Sequence, residues 1–382
     1  MVAHIDITTS RHFGRRDAEG LRNVHRSRYL TRPGMTNRLR DGLLRFLATG
    51  LLYVFFNPAL SADDQVMIEQ QGRSRLPITG EIENFTGREL TMRTRVGKKI
   101  RIFPKSEVVE VIASYTQHHD LGRQMLARGR ILNATVELNL ALNEEDRTWV
   151  HREILASLVK CSLWTGDYLT AASDFLKIVA SDEETFHYNV APLAWADDVP
   201  DIKLVHEAKL WMSQSSPASK LMGASHLLCS PDSADESEST LRQLSRNSNL
   251  RIQRLAQMQL WRSRTMTGAS TSGDLTRWEA SLEELPQELR AGGYFVLGQA
   301  HRKQMNPERS ANALLWLPLV YDTDRQLAAR ACFQAAEQLE LIGDHAQAIN
   351  LFSDMVFRYG DTRWGSLAEV TWKEIRAAHA TP

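Results

Sequence analysis

Two segments of this chain repeat one local pattern, and that pattern limits the fold more than any other feature of the sequence. LVKCSLWTGDYLTAASDFLKIV and LAARACFQAAEQLELIGDHAQAINLFSDMVFRYGD each hold two amphipathic helical stretches broken at Gly-Asp. In both, a Gly is followed at fixed offsets by an Ala and a Phe: Gly166, Ala171 and Phe175, then Gly343, Ala348 and Phe352. Glycine reaches the left-handed conformation that ends a helix without steric cost. A small Ala at the crossing lets two helices approach, and the Phe fills the space between neighbouring hairpins. The pattern predicts stacked helical hairpins from about Leu121 to the C-terminus.

The spacings of Ala336, Gly343, Ala348, Phe352 and Met355 resemble those of the tetratricopeptide repeat. That resemblance implies an α-solenoid with an extended concave face for a peptide or a partner protein. A degenerate third copy, HRKQMNPERSANALLWLPLVYD, matches at Ala311 and Leu315, with Asn306 where Gly is expected and Pro318 set to interrupt the second helix. IKLVHEAKLWMSQSSPASKLMGASHLL and LRIQRLAQMQLWRSR are amphipathic but match poorly, as degenerate repeats or as pairs of another solenoid type. Trp364, Leu367, Ala368, Trp372 and Ile375 form one stripe on a last, capping helix. Ser230–Ser239 and Thr265–Asp274 are rich in Ser, Gly and Asp and read as exposed loops.

Ahead of the helices the periodicity changes. Between Gln65 and about Ser114, VMIEQ, LPITGEIEN, ELTMRT, KKIRIF and VVEVIA alternate with turn residues. Ile78/Gly80/Ile82, Leu90/Met92 and Ile100/Ile102 recur at period two, as half-buried strands require. Five short strands suggest a curled antiparallel sheet, which resembles a small SH3-like or Sm-like barrel. The fold class expected is therefore mainly α: a tetratricopeptide-like solenoid over 117–382, a β module over 63–116, and a basic extension over 1–62.

Charge is balanced overall, 46 basic against 46 acidic residues, but not locally. Met1–Ala62 holds ten Lys and Arg against four Asp and Glu, which leaves the rest at net −6 and speaks against bulk attraction to nucleic acid. Within 1–62, MTNRLRDGLLR, FLATGLLYVFF and NPALSADD give a basic region, an apolar run and a small-residue exit, the order of a secretory signal. Cleavage is expected before Ala62, from Ala59 with Ser61, or after it, from Leu60 with Ala62, which puts the mature start near 62–63, with Met35 as a candidate initiator. The run is short of the about 20 apolar residues a membrane span needs, and the alternative is an anchor formed by 43–56. Cys161, Cys229 and Cys332 are an odd set within apolar helical pattern and read as small buried hydrophobes.

Between Gly72 and Lys105 nine basic residues face three acidic ones, a net +6. Arg93, Lys98 and Arg101 are the candidates there for holding an anionic ligand. Phe85 and Phe103 are the aromatics available, too few to stack bases. The duller alternative is a solvated strand face guarded against edge pairing.

The motifs that suggest chemistry each lack a part. Asp197-Asp198-Val-Pro-Asp201 spells DDxxD, but Pro200 disfavours the helix that would align its carboxylates. His206-Glu207 has no second His, and Gly293–Gly298 lacks the Lys and Ser/Thr of a phosphate loop. His118-His119-Asp120 could ligate metal, with a linker between sheet and helices as the simpler home. The nine Trp fall mostly at core spacing. No cofactor or metal is expected. The function expected is a non-enzymatic exported scaffold that binds a protein or peptide; the alternative is an envelope-polymer binder or enzyme accessory working through the β module. Membrane contact is expected only through an uncleaved N-terminal segment.

Overall fold

The computed structural model describes residues 64–69 and 75–379. The export segment, its cleavage site, the anchor alternative and Arg73 lie outside them. Five strands come first: β1 (Asp64–Ile68), β2 (Leu76–Phe85), β3 (Glu89–Thr94), β4 (Ile100–Pro104) and β5 (Val108–Ile112). They form one antiparallel sheet in the order β4-β3-β2-β1-β5. Val66, Ile82, Leu90, Met92 and Phe103 fill its core face. Ile100 and Ile102, expected inside, are 56% and 58% exposed. The register pairs Met92 with Arg101, so Arg101 and Phe103 share the core face and the isoleucines point away.

Fourteen α-helices follow among the described residues. They are α1 (Gln117–Ala127), α2 (Ile131–Glu144), α3 (Thr148–Thr165), α4 (Tyr168–Ser181), α5 (Ile202–Ser213), α6 (Pro217–Leu227) and α7 (Ala234–Leu244). Then come α8 (Leu250–Met266), α9 (Ser272–Glu284), α10 (Arg290–Lys303), α11 (Pro307–Val320), α12 (Arg325–Leu341), α13 (His345–Tyr359) and α14 (Arg363–His379). The chain is mainly α, with repeat-like hairpins of solenoid type behind a small β module.

Capping explains where the hairpins turn. Gly166 and Gly343 adopt φ of 77° and 81°, and Asp167 and Asp344 then cap α4 and α13 by accepting from Thr170 N and Gln347 N. Ala171, Phe175, Ala348 and Phe352 are buried behind these caps. The third copy turns on Met305, at φ 56°, and Asn306 is the cap of α11. Measured from the cap, the places of Ala171 and Phe175 belong to Ser310 and Leu314, one residue before Ala311 and Leu315. Ser310 is fully buried and its hydroxyl donates to Gly298 O at 2.9 Å, while Ala311 is buried beside it.

Three further expectations are corrected. Pro318 does not interrupt α11, because it lies in the last turn, where the helix ends two residues later. Ser230–Ser239 is mostly the start of α7, and Thr265 and Asp274 belong to α8 and α9, with Asp274 in a capping box with Thr271. Residues 267–271 remain a loop between helices, Thr271 caps α9, and Asp235, Ser237 and Ser239 lie inside α7, a difference that composition alone does not show. On α14, Ala368 is buried, but Leu367 is 41% exposed.

The sheet is fixed to the helices by its β2–β3 turn. Arg152 of α3 donates to Asn84 Oδ1 and Phe85 O, each at 2.8 Å, and Gly87 N donates to Asp182 at 2.8 Å. A Cβ on Gly87 would lie 1.5 Å from Glu184 O, so only glycine permits this approach. The array also curls until α3 meets α12: Trp164 Nε1 donates to Asp361 at 2.9 Å, Gln326 donates to Trp164 O at 2.9 Å, and the Arg325 guanidinium lies 4.1 Å from the Trp164 ring.

Candidate functional site

One segment crosses four of the helices, α6, α8, α10 and α12. Residues 191–200, between α4 and α5 and without regular secondary structure, run across them as a strap. His226 Nε2 donates to Pro192 O at 2.8 Å, Gln259 Nε2 and Arg262 Nη1 to Ala194 O at 2.9 Å, and Arg262 Nη2 to Ala196 O. Alternate carbonyls are thus gripped from α6 and α8. Arg262 also donates to Ser225 O at 2.8 Å and to Cys229 Sγ at 3.0 Å, so the direct bonds of this buried cation go to dipoles, with Asp197 and Asp198 acting on it from farther off. Trp195 presses on α10, where a Cβ on Gly292 would stand 2.0 Å from the indole ring. The DDxxD residues end the strap: Arg330 of α12 bonds Asp197 at 2.7 Å and also Asp198, while Asp201 caps α5. They tie the strap to the array, and no His, Cys, Asp or Glu group suited to a metal ion occurs among the described residues.

Gly293 and Gly298 are buried in α10 at close helix crossings. His118 stands in the first turn of α1, not in a linker, and bonds Glu137 at 2.6 Å. Cys161 and Cys332 are buried and Cys229 is half-buried, all three as free thiols.

The basic residues of the sheet are not one patch. Arg93 is paired opposite Ile100 and bonds Glu83 on one face, whereas Arg101 lies on the other face, 4.8 Å from the centre of the Phe103 ring. Lys98 is at the tip of the β3–β4 turn with φ 48°. Arg75 bonds Glu69 at 2.9 Å and Arg88 bonds Glu184 at 2.5 Å. Phe85 and Phe103 are core residues.

What the structure does bring together is a cleft of about 390 Å³ where β5 faces α1, α3 and the 3₁₀ turn Phe186–Val190. Lys105, Tyr115, His119, Arg123, Glu153 and Lys160 line it, with Val108–Val111 of β5 as the opposite wall. Burial dominates their electrostatics. It holds His119 down to about 4 and His187 down to about 3, lowers Lys105 and Lys160, and raises Glu153 and Tyr115. The Tyr115 hydroxyl and Glu153 are hydrogen-bonded to each other. His119 Nδ1 and His187 Nε2 are buried without a partner. A groove of about 620 Å³ between α4 and α5 is larger but lined mainly by Leu169, Leu176, Ala180 and Trp211, and its Lys177 is already bonded to Asp174. The cleft beside β5 is therefore the better candidate: it joins enclosure to polar groups whose bonding capacity is unspent.

Of its residues, sequence reading singled out His119 as a metal candidate, Phe85 as an aromatic and Lys105 among the basic residues of the β module, none of them for a cleft. The others are ordinary side chains made neighbours by the docking of sheet on helices. Compared with protein-family models and with curated proteins, the sequence matches none.

Proposed function

We propose that this chain is a non-enzymatic binding protein: a tetratricopeptide-like scaffold fronted by an SH3-like β module, exported to the cell envelope, that holds a segment of a partner protein or peptide. The observation that carries this reading is the open cleft beside β5, lined by Lys105, Arg123 and Lys160, with two buried histidine nitrogens left without a partner in its walls. The strap lies across α6, α8, α10 and α12, the cleft lies apart from it, and the helices serve as the rigid frame of both. Binding is favoured over turnover by the state of the aliphatic hydroxyl in the lining: Ser157 spends its proton on Glu153 O, at 3.0 Å within its own helix.

The test is affinity capture from the native envelope by the full chain and by the double variant Arg123→Glu, Lys160→Glu. A partner retained by the first and lost by the second is expected. Equal retention by both, or capture of nothing, overturns the role of the cleft. Export is tested separately by sequencing the N-terminus of the mature protein, expected at Ala62; an intact Met1 or Met35 refutes it.

A further inference from the structure

The two edges of the sheet are unlike. β4, at one edge, reads IRIFP and carries Arg101 and Pro104, the kind of residues that keep an edge from pairing with another chain. β5, at the other, reads VVEVI, with no proline, lysine or arginine. Among the described residues no strand pairs with its outer side. Val109 and Ile112 stand 44% and 51% exposed. The irregularity in the β1–β5 ladder lies at Met67/Ile68, so the pairing is regular from Glu110 to Ile112. This unguarded edge is a wall of the cleft described above.

We propose that the cleft takes an extended, acidic stretch of a partner polypeptide, added as a sixth strand on the outer edge of β5. The proposal rests on the binding role given above and names its ligand. An added strand gains main-chain hydrogen bonds from the edge, and its alternate side chains point into the facing pockets. Charge selects acid. Three cations, Lys105, Arg123 and Lys160, stand in the lining against Glu110 and Glu153, and Glu153 is bonded to Tyr115. Lys105 lies over the Phe85 and Phe186 rings at 5.5 and 5.4 Å, and Arg123 over Tyr115 at 5.2 Å, both on aromatic faces. Lys160 is half-buried with no ion pair among the described residues. A carboxylate on the incoming strand adds to the counter-charge that Glu288, Glu153 and Asp322 supply to Lys105, Arg123 and Lys160.

The probe is a randomised peptide library displayed on phage and panned against the full chain. Enriched sequences are expected to alternate β-branched residues and to carry Asp or Glu. The tightest peptide should slow amide exchange across Val109–Ile112, and should lose about tenfold in affinity when alternate amides are N-methylated, the measure of lost main-chain bonds. Lys160→Glu should cost a similar factor. N-methylation without effect would mean side-chain docking, which sinks strand addition while partner capture from the envelope still stands. Enrichment of basic or neutral sequences, or of none, overturns the proposal in the same way. So does a chain that sediments as a dimer with β5 amides already protected, since a second copy would then hold the edge. Failure of envelope capture, by contrast, removes the underlying binding role itself.

Discussion

His226, in α6, donates Nε2–H to Pro192 O, and burial holds its pKa down to about 4 against 6.5 for an ordinary histidine. Between those values the unfolded chain binds a proton that the folded chain refuses, so stability rises with pH across the window and is lost as pH falls from 6.5 toward 4. Burial puts His119 and His301 at about 4 and His187 at about 3, and all act in the same direction. Asp324, pushed up to about 6 by burial, acts the other way, binding its proton more readily when folded, and so do Asp64, Glu153 and Glu337, which burial also raises. The histidine shifts are the larger ones as a set. Urea midpoints measured at steps from pH 7 to pH 4.5 are expected to fall, and His226→Gln, which keeps a donor but cannot titrate, should flatten the slope by about 3 kcal/mol over the full window. Midpoints that stay level would refute the assignment. At Met305 the backbone is left-handed, where the sister turns use Gly166 and Gly343. Met305 is 86% exposed, so Met305→Gly loses little contact and should stabilise by up to about 1 kcal/mol in the same assay.

At the scale of elements, the strap is held by few groups, each hard to replace. Arg262→Met keeps much of the volume but takes the donors from the Ala196 and Ser225 carbonyls and leaves Ala194 O to Gln259 alone, and should cost about 3 kcal/mol of unfolding free energy. Gly292→Ala drives a methyl into the Trp195 ring and should cost about 1–3 kcal/mol, with a change in tryptophan fluorescence. A variant at either site as stable as the parent would mean that the strap is loosely held. The elements themselves were largely legible. Five strands and the hairpins at Gly166 and Gly343 were readable because alternation, caps and breakers act over a few residues. The third hairpin was read one residue out of place because a Met stands where Gly is usual, and the Asn after it was taken for the turn. The strap was not legible at all: Ala191–Pro200 looks like a linker with an acidic end, and its partners His226, Gln259, Arg262 and Arg330 lie far along the chain. The candidate cleft escaped for the same reason. VVEVIA reads as a strand, but whether a strand lies at an edge, and what it faces, is decided by pairing with β1 and by docking on α3.

At the scale of the whole molecule, contact between α3 and α12 turns a row of hairpins into a closed curl. Open repeat arrays gain stability from nearest neighbours and can lose terminal units one at a time. Here the last hairpins also touch an early one, so far-ultraviolet circular dichroism and tryptophan fluorescence should report one coincident thermal transition. Arg325→Ala removes the contacts to Trp164 and Asp361 together. It is expected to speed amide exchange in α13 and α14 before it lowers the main transition, and unchanged exchange there would show that the closure carries no weight.

Closure over an internal strap also imposes an order of assembly. Residues 191–200 leave the ribosome, or cross a membrane, before the helices that hold their acidic end, since Arg330 comes more than a hundred residues later. Until then the strap has its partners on α6, α8 and α10, and Asp197 and Asp198 have no counter-charge from α12. A nascent chain stopped before α12 therefore presents an unfinished ring with its centre exposed, and it is the arrival of α12 that seals it. Synthesis from the N-terminus lays the strap down first and brings the seal last, a sequence of events that refolding of the complete chain is free to violate.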